Sequence, residues 1–328
     1  MSTQRYAEAF WLRAPGDGEI RTVQLPEPGP EDVLVRTLCT GVSRGTEALV
    51  FAGRVPADQR EAMRAPFQEG EFPAPVKYGY LNVGVVEAGP PELAGRTVFC
   101  LYPHQSAYVV PAAAVTPVPE GVPPARAVLA GTVETAVHAL WAAPPLIGDR
   151  VAVVGAGMVG AAVARLLAGV PGTEVTLVDL DPDRKALADA LGVRFATPEE
   201  APGEQDLVVH ASATAAGLQL ALDLLAAERE VLDLSWYGDV PVTLALGGAY
   251  HSRRLGLRAS QVGRVAPARR GSRTPGDRLA LALDLLRDPA FDALISGTSP
   301  FADLPRLMPE LAEGRRRALC HVLTYEEA

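Results

Sequence analysis

Cysteine is scarce in this 328-residue chain: Cys39, Cys100 and Cys320 are the only three, widely spaced and without a C-x-x-C pair. That argues against a zinc ribbon, a dithiol redox motif or a disulfide framework, and it fits a reducing cytoplasm. Basic residues are the minority, 30 Lys and Arg against 39 Asp and Glu, for a formal charge of −9. A non-specific nucleic-acid binder carries the opposite sign to neutralise phosphates, and the run Arg315, Arg316, Arg317 reads as a solvated face. Long apolar runs are missing as well. No stretch approaches the roughly 20 charge-free residues of a membrane span, and the N-terminus lacks a basic-then-apolar leader pattern. The sequence predicts a cytoplasmic protein with neither a membrane nor a nucleic acid as partner.

What is present is an ordinary globular composition, 48% hydrophobic and 21% charged, in a chain longer than one core usually sustains. Two domains are expected. Residues 1–122 alternate short β-rich runs with Pro and Gly punctuation, which predicts a mostly β domain. Within it, residues 54–72 read as a short helical excursion or lid over a site, or equally as a plain surface insertion. Residues 123–263 switch to strand, Gly-rich turn and Ala/Leu-rich helix in repetition, the pattern of a doubly wound α/β domain with a parallel sheet. Residues 264–328 begin no second nucleotide fold and are expected to return to the first domain.

The strongest motif is VAVVGAGMVG, in which Gly155, Gly157 and Gly160 form G-x-G-x-x-G between a strand and a helix opened by Met158 and Val159. Gly155 permits the tight turn, Gly157 lets a pyrophosphate approach the backbone, and Gly160 allows close helix-to-strand packing. The helix N-terminus offers amides and a positive dipole end to a phosphate. The next strand ends in Asp179, 19 residues beyond Gly160, where a carboxylate accepts from both ribose hydroxyls and repels a 2′-phosphate. NAD is therefore predicted over NADP. Asp183 and Arg184 fit either the border of an adenine or a solvated first turn.

The order of a mostly β half, a Rossmann half and a returning tail resembles the medium-chain dehydrogenase/reductase superfamily over nearly the whole chain. GVSRGTE is similar to its G-V-C-R-x-x-D segment, YGYLNVGVVEAG to its G-H-E-x-x-G-x-V-x-x-x-G segment and ETAVHAL to its T-A-x-x-A-L helix. SRGTE, GRVP and the YGY segment resemble the bacteriochlorophyllide 2-hydroxyethyl dehydrogenase branch and its uncharacterised bacterial relatives. The resemblance implies a GroES-like first domain, an NAD-dependent dehydrogenase or reductase, and a homodimer joined through the last Rossmann strand near residues 255–259. It also implies cofactor contacts: Arg44 on the pyrophosphate, with Thr135, Ser235, Trp236, Tyr237 and Ser260 near the nicotinamide. Where the resemblance would place zinc ligands, this chain has Ser43, Tyr80 and Leu81, and the four-cysteine structural zinc lobe is absent. Neither a neutral hydroxyl nor a phenol replaces a thiolate or an imidazole on Zn²⁺ at neutral pH. No metal is predicted.

Without a Lewis acid, hydride transfer needs preorganised donors or a positioned acid. Tyr80 reads as a substrate contact or as a filler of the vacated pocket. His104, in a Pro-flanked turn, reads as a proton carrier or as a hydrogen-bonded core histidine. Glu47 would orient Arg44 or His104, or form a structural salt bridge. His251 fits a cofactor cleft or a surface loop; His138, His210 and His321 read as packing or capping residues. The function expected is zinc-independent hydride transfer between NAD(H) and a secondary alcohol, ketone or conjugated carbonyl of a small, ring-bearing metabolite. The alternative is a non-catalytic NAD(H) sensor or partner-binding protein.

Overall fold

The computed structural model describes residues 4–325. The chain divides into two compact units, Met1–Gly131 with Ile295–Ala328, and Thr132–Leu294.

In the second unit, six parallel strands lie in the spatial order Arg194–Ala196, Glu174–Val178, Arg150–Val154, Leu207–His210, Glu230–Asp233 and Gly256–Ala259. Chain order runs outward from Arg150–Val154 in one direction and then from Leu207–His210 in the other. Their adjacent C-terminal ends are the switch point where open α/β sheets bind ligands. Strands such as RVAVV and LVVH are almost continuously apolar because both faces are covered. The helix Met158–Ala168 buries Ala161, Ala162, Val163, Ala164 and Leu167; side chains this small let it sit close to the sheet.

The first unit holds a seven-stranded sheet built around the long strand Asp32–Ser43, and a four-stranded antiparallel sheet led by Tyr6–Ala14. Val33, Val35, Val86, Val98, Cys100, Tyr108 and Val110 form one apolar cluster of this unit. The helix Leu304–Ala312 buries Leu304, Leu307, Met308 and Leu311, the i, i+3, i+4, i+7 stripe of an amphipathic helix.

Two expectations are corrected. The chain returns to the first unit at Ile295, not at residue 264, and the first unit extends to Gly131, not 122. The helix Pro275–Leu285, started by a Thr274–Asp277 capping box, is followed by a 3-10 turn, Pro289–Leu294. That turn packs on Met158–Ala168 and Arg184–Leu191 and buries Phe291 and Leu294, which keeps the segment with the Rossmann-type sheet. Residues 54–72 form no helical lid; they contain one 3-10 turn, Ala57–Gln59, and the two-residue strand Glu69–Gly70. Among the described residues no helix is long and apolar enough to cross a membrane.

Candidate active site

In the first unit the structure brings Glu47, Tyr80 and His104 together. Ser43 ends the strand Asp32–Ser43, and the helix Arg44–Phe51 follows it directly, so Arg44 opens the helix half-exposed while Glu47 turns inward. The Ser43 amide donates to Glu47 Oε1 at 2.7 Å. The other carboxyl oxygen lies 2.8 Å from His104 Nε2, and His104 Nδ1 lies 2.7 Å from Thr40 Oγ1. Thr40 in turn meets the Tyr325 hydroxyl at 3.2 Å.

His104 is 1% exposed and both of its ring nitrogens are engaged. The pattern assigns Nε2–H as donor to Glu47 and leaves Nδ1 to accept from Thr40. Gly79, at φ +132°, brings the backbone against this imidazole; a Cβ there would lie 3.1 Å from His104 Cδ2. Of the two readings of His104, the hydrogen-bonded buried histidine describes its contacts, and Glu47 is tied to His104.

Tyr80 is half-exposed. Burial of its hydroxyl, with Glu47 nearby, pushes the phenol up to about 12, while hydrogen bonds with the Ser43 and Thr46 side chains act in the opposite direction. The phenol therefore stays protonated at neutral pH and is a donor. Leu81 is fully buried and apolar, and burial pushes the Cys39 thiol up to about 12. Zinc takes thiolate, imidazole and carboxylate ligands; this donor set does not fit it. No group of three or more His, Cys, Asp or Glu side chains that could hold a metal occurs among the described residues.

In the second unit the Gly-rich turn has the shape the motif predicts. Gly155 adopts φ +108°, and a Cβ there would lie 2.7 Å from the Ser212 amide nitrogen. A Cβ on Gly160 would lie 2.0 Å from the Gly155 carbonyl oxygen, whereas the Cβ direction of Gly157 is open. Met158 and Val159 form the first helical positions, behind Gly157 as N-cap. Asp179 Oδ2 accepts from the Ala156 amide at 2.7 Å and Oδ1 from the Asp181 amide at 2.9 Å, so its carboxylate sits beside the turn. The Ser260 hydroxyl is buried and has no hydrogen-bond partner among the described residues. These residues fit a dinucleotide: an open glycine at a helix N-terminus with an acid at the end of the neighbouring strand.

Arg184 lies 3.8 Å from Asp181 and half-buried Thr135 belongs to the helix Ala130–Ala142. Ser235 and Tyr237 follow the strand Glu230–Asp233 and contact Asp233: the Ser235 amide donates to Oδ1 at 3.0 Å and the Tyr237 hydroxyl to Oδ2 at 2.9 Å. Trp236, between them, is half-exposed, and His251 is exposed on the short helix Ala249–Ser252. His210, read from sequence as packing, is a fully buried partner of Asp233.

No family model matches the chain. An 83-residue stretch, 25% of the chain, is 37% identical to 2-desacetyl-2-hydroxyethyl bacteriochlorophyllide A dehydrogenase of Cereibacter sphaeroides. The match spans 23% of that protein, under a quarter of its length. Solved structures are similar over nearly the whole chain. A zinc-binding dehydrogenase from Sinorhizobium meliloti, solved with NADP, superposes with a TM-score of 0.77 at 18% identity, covering 98% of this chain and 100% of its own. L-idonate 5-dehydrogenase from Escherichia coli gives 0.78 at 16%, covering 98% and 99%. Acetophenone reductase from Geotrichum candidum, in complex with NAD, gives 0.77 at 19%, covering 99% and 98%. The chain shares the fold of these dehydrogenases, a Rossmann-type parallel-sheet unit with a separate unit of mostly antiparallel strands, as the sequence led us to expect.

Proposed function

We propose that this protein is a zinc-independent oxidoreductase of the medium-chain type, moving a hydride between NAD(H) and a secondary alcohol, ketone or conjugated carbonyl of a small metabolite. The observation that carries the reading is the Tyr80 hydroxyl, a protonated donor held by Ser43 and Thr46 over the buried Glu47–His104–Thr40 chain. It stands where the resemblance would put a metal ligand.

The nicotinamide, when bound, supplies or accepts the hydride. Gly157, Met158 and Val159 would hold the pyrophosphate with backbone amides, and Asp179 would take the adenosine ribose; Arg44 is assigned to the pyrophosphate by the resemblance alone. Arg184 would border the adenine, while Thr135, Ser235, Trp236, Tyr237 and Ser260 would line the nicotinamide end. Tyr80 donates a hydrogen bond to the carbonyl oxygen and gives up its proton as negative charge develops there, because an alkoxide is more basic than a phenolate. The Ser43 and Thr46 hydroxyls keep the phenol aimed, and water restores its proton at the half-exposed ring. Glu47 fixes the turn through the Ser43 amide, His104 holds Glu47, and Thr40 holds His104. His104 is thus a positioning residue. We assign the chain as a homodimer on the same reading.

The test begins with metal analysis of protein purified without chelator, which should find well under one zinc per chain. Cyclic ketones and enones are then screened for NADH consumption. Tyr80→Phe should lower turnover by about 10²–10³, the usual cost of an oxyanion donor, with the Kd for NADH unchanged. Wild-type turnover in Tyr80→Phe sinks the assigned role. Tight NADH binding with no carbonyl reduced and no alcohol oxidised would favour a non-catalytic sensor.

A further inference from the structure

A second polar cluster lies within the Rossmann-type unit, at the C-terminal ends of two neighbouring strands. Parallel register sets His210, the last residue of Leu207–His210, beside Asp233, the last of Glu230–Asp233. His210 Nδ1 lies 2.9 Å from Asp233 Oδ1, and His210 Nε2 lies 2.7 Å from Ser212 Oγ. Asp233 also accepts from the Ser235 amide and the Tyr237 hydroxyl; three donors fix its orientation. A carboxylate on one side of the ring requires Nδ1–H, so Nε2 carries the lone pair and receives the Ser212 proton. This is hydroxyl, base and orienter in the order that activates a serine.

The surroundings of Ser212 serve the same chemistry. His210 is fully buried, yet Ser212 is half-exposed. The chain turns sharply from strand to helix just after it, with Ala213 at φ +54° and Thr214 as N-cap of the helix Ala215–Asp223. A non-glycine residue in this region is strained and marks a conformation the surroundings impose. The Ser212 oxygen rests on the first turn of that helix: a Cβ on Gly217 would lie 2.1 Å from it and 3.1 Å from His210 Nε2. Only glycine leaves the hydroxyl room there; the Gly217 amide donates to the Thr214 side chain, and the amides of Ala215 and Ala216 are the first-turn donors with no intrahelical acceptor.

We propose that Ser212 is a nucleophile, with His210 as its base and Asp233 as the positioning residue, and that the nucleotide-free chain hydrolyses small carboxylic esters. Ser212 Oγ bonds to the ester carbonyl carbon while its proton passes to His210 Nε2. First-turn amides of the helix receive the oxyanion. The carbon–alkoxy bond then breaks, and the alcohol departs with the proton from His210. Water repeats the sequence on the acyl-serine, releasing the carboxylic acid and restoring the hydroxyl. Because the Gly155 turn touches the Ser212 backbone, an ester and a dinucleotide would compete. The measurement is therefore made without nucleotide, and its outcome is independent of the dehydrogenase reading.

Nucleotide-free protein is incubated with an alkyl fluorophosphonate and examined by intact-mass and peptide mass spectrometry; hydrolysis of p-nitrophenyl acetate is followed in parallel. One adduct per chain on Ser212 is expected, absent in Ser212→Ala. Asp233→Asn should label at least about 10²-fold more slowly with a displaced pH profile, a change that loss of packing alone would not cause. Ser212→Ala leaves the buried His210 Nε2 without its hydroxyl partner, so its melting curve should fall modestly while the protein stays folded at the assay temperature. No adduct, an adduct elsewhere, or p-nitrophenyl acetate hydrolysis unchanged in a folded Ser212→Ala protein would overturn the assignment. A lowered NADH affinity in Ser212→Ala without any labelling of wild type would overturn it too, assigning the hydroxyl to the dinucleotide.

Discussion

Asp179 holds two backbone amides, those of Ala156 and Asp181, before any ligand arrives. A carboxylate has about four lone-pair sites, so it can still accept from ribose hydroxyls, and its charge still opposes a 2′-phosphate. The same residue shapes the Gly-rich turn and, on the proposed reading, would select the cofactor. Fluorescence titration should show wild type binding NADH more tightly than NADPH, and Asp179→Ala should narrow the gap. Because the substitution leaves two amides without an acceptor, it should also cost about 1–3 kcal/mol of stability. Asp179→Asn, which retains one carbonyl acceptor, should narrow the gap with a smaller loss. Equal affinities in wild type would remove the ribose assignment. The position of Asp179, at a strand end beside the Gly-rich turn, was legible in the sequence because a spacing sufficed. The pairing of His104 with Glu47 was among the readings of the sequence, but its Thr40 contact was not legible, because Thr40 lies far from it in the chain and meets it only through the folded sheet.

Local grammar carried further for helices and strands than for the borders between units. Strand, Gly turn and helix repeat with little interruption from Arg150 to Asp233, and each step is local. The helix Pro275–Leu285 is equally well formed, but nothing in its own residues says which sheet receives it. What retains it is side-chain pairing with the helix Ala130–Ala142: Arg278 Nε meets Glu134 at 3.0 Å and Arg278 Nη1 meets His138 Nδ1 at 3.0 Å. The guanidinium donates, so His138 must be neutral. Burial first, and the Arg278 charge second, depress its pKa from 6.5 to about 4. The unfolded chain therefore binds a proton that the folded one refuses. Stability is fully present above about pH 6.5 and falls as pH drops toward 4, by at most about 3 kcal/mol from this group. Glu134, raised by burial, acts in the opposite direction, so the contribution is read as a difference. Thermal melts of wild type and His138→Gln, whose amide oxygen can accept from Arg278, should converge as pH falls from 7 to 4. Parallel curves would show that His138 does not set this slope.

At the scale of the whole molecule, the Rossmann-type sheet ends on a strand paired on one side. Gly256–Ala259 pairs with Glu230–Asp233 and, among the described residues, with no strand beyond it. The Gly256 amide donates inward to Arg229 and the Ser260 amide inward to Asp233, each at 2.8 Å. Strand alternation then turns the amides of Leu257 and Ala259 outward, and the Leu257 side chain is 41% exposed. An unpaired row of this kind pairs with another copy unless something blocks it, and a two-fold axis lets the same edge serve both copies. Arg258 is no barrier, because it is held by Glu230 and the Ala142 carbonyl. Light scattering should report twice the 34.5 kDa chain mass. Leu257→Pro removes one outward donor and no inward one, a change edge strands tolerate, so it should shift the protein to monomer with little change in Tm. A wild type that stays monomeric at every concentration would take the edge out of the assembly. A Leu257→Pro protein that remains a dimer would place the interface on another surface.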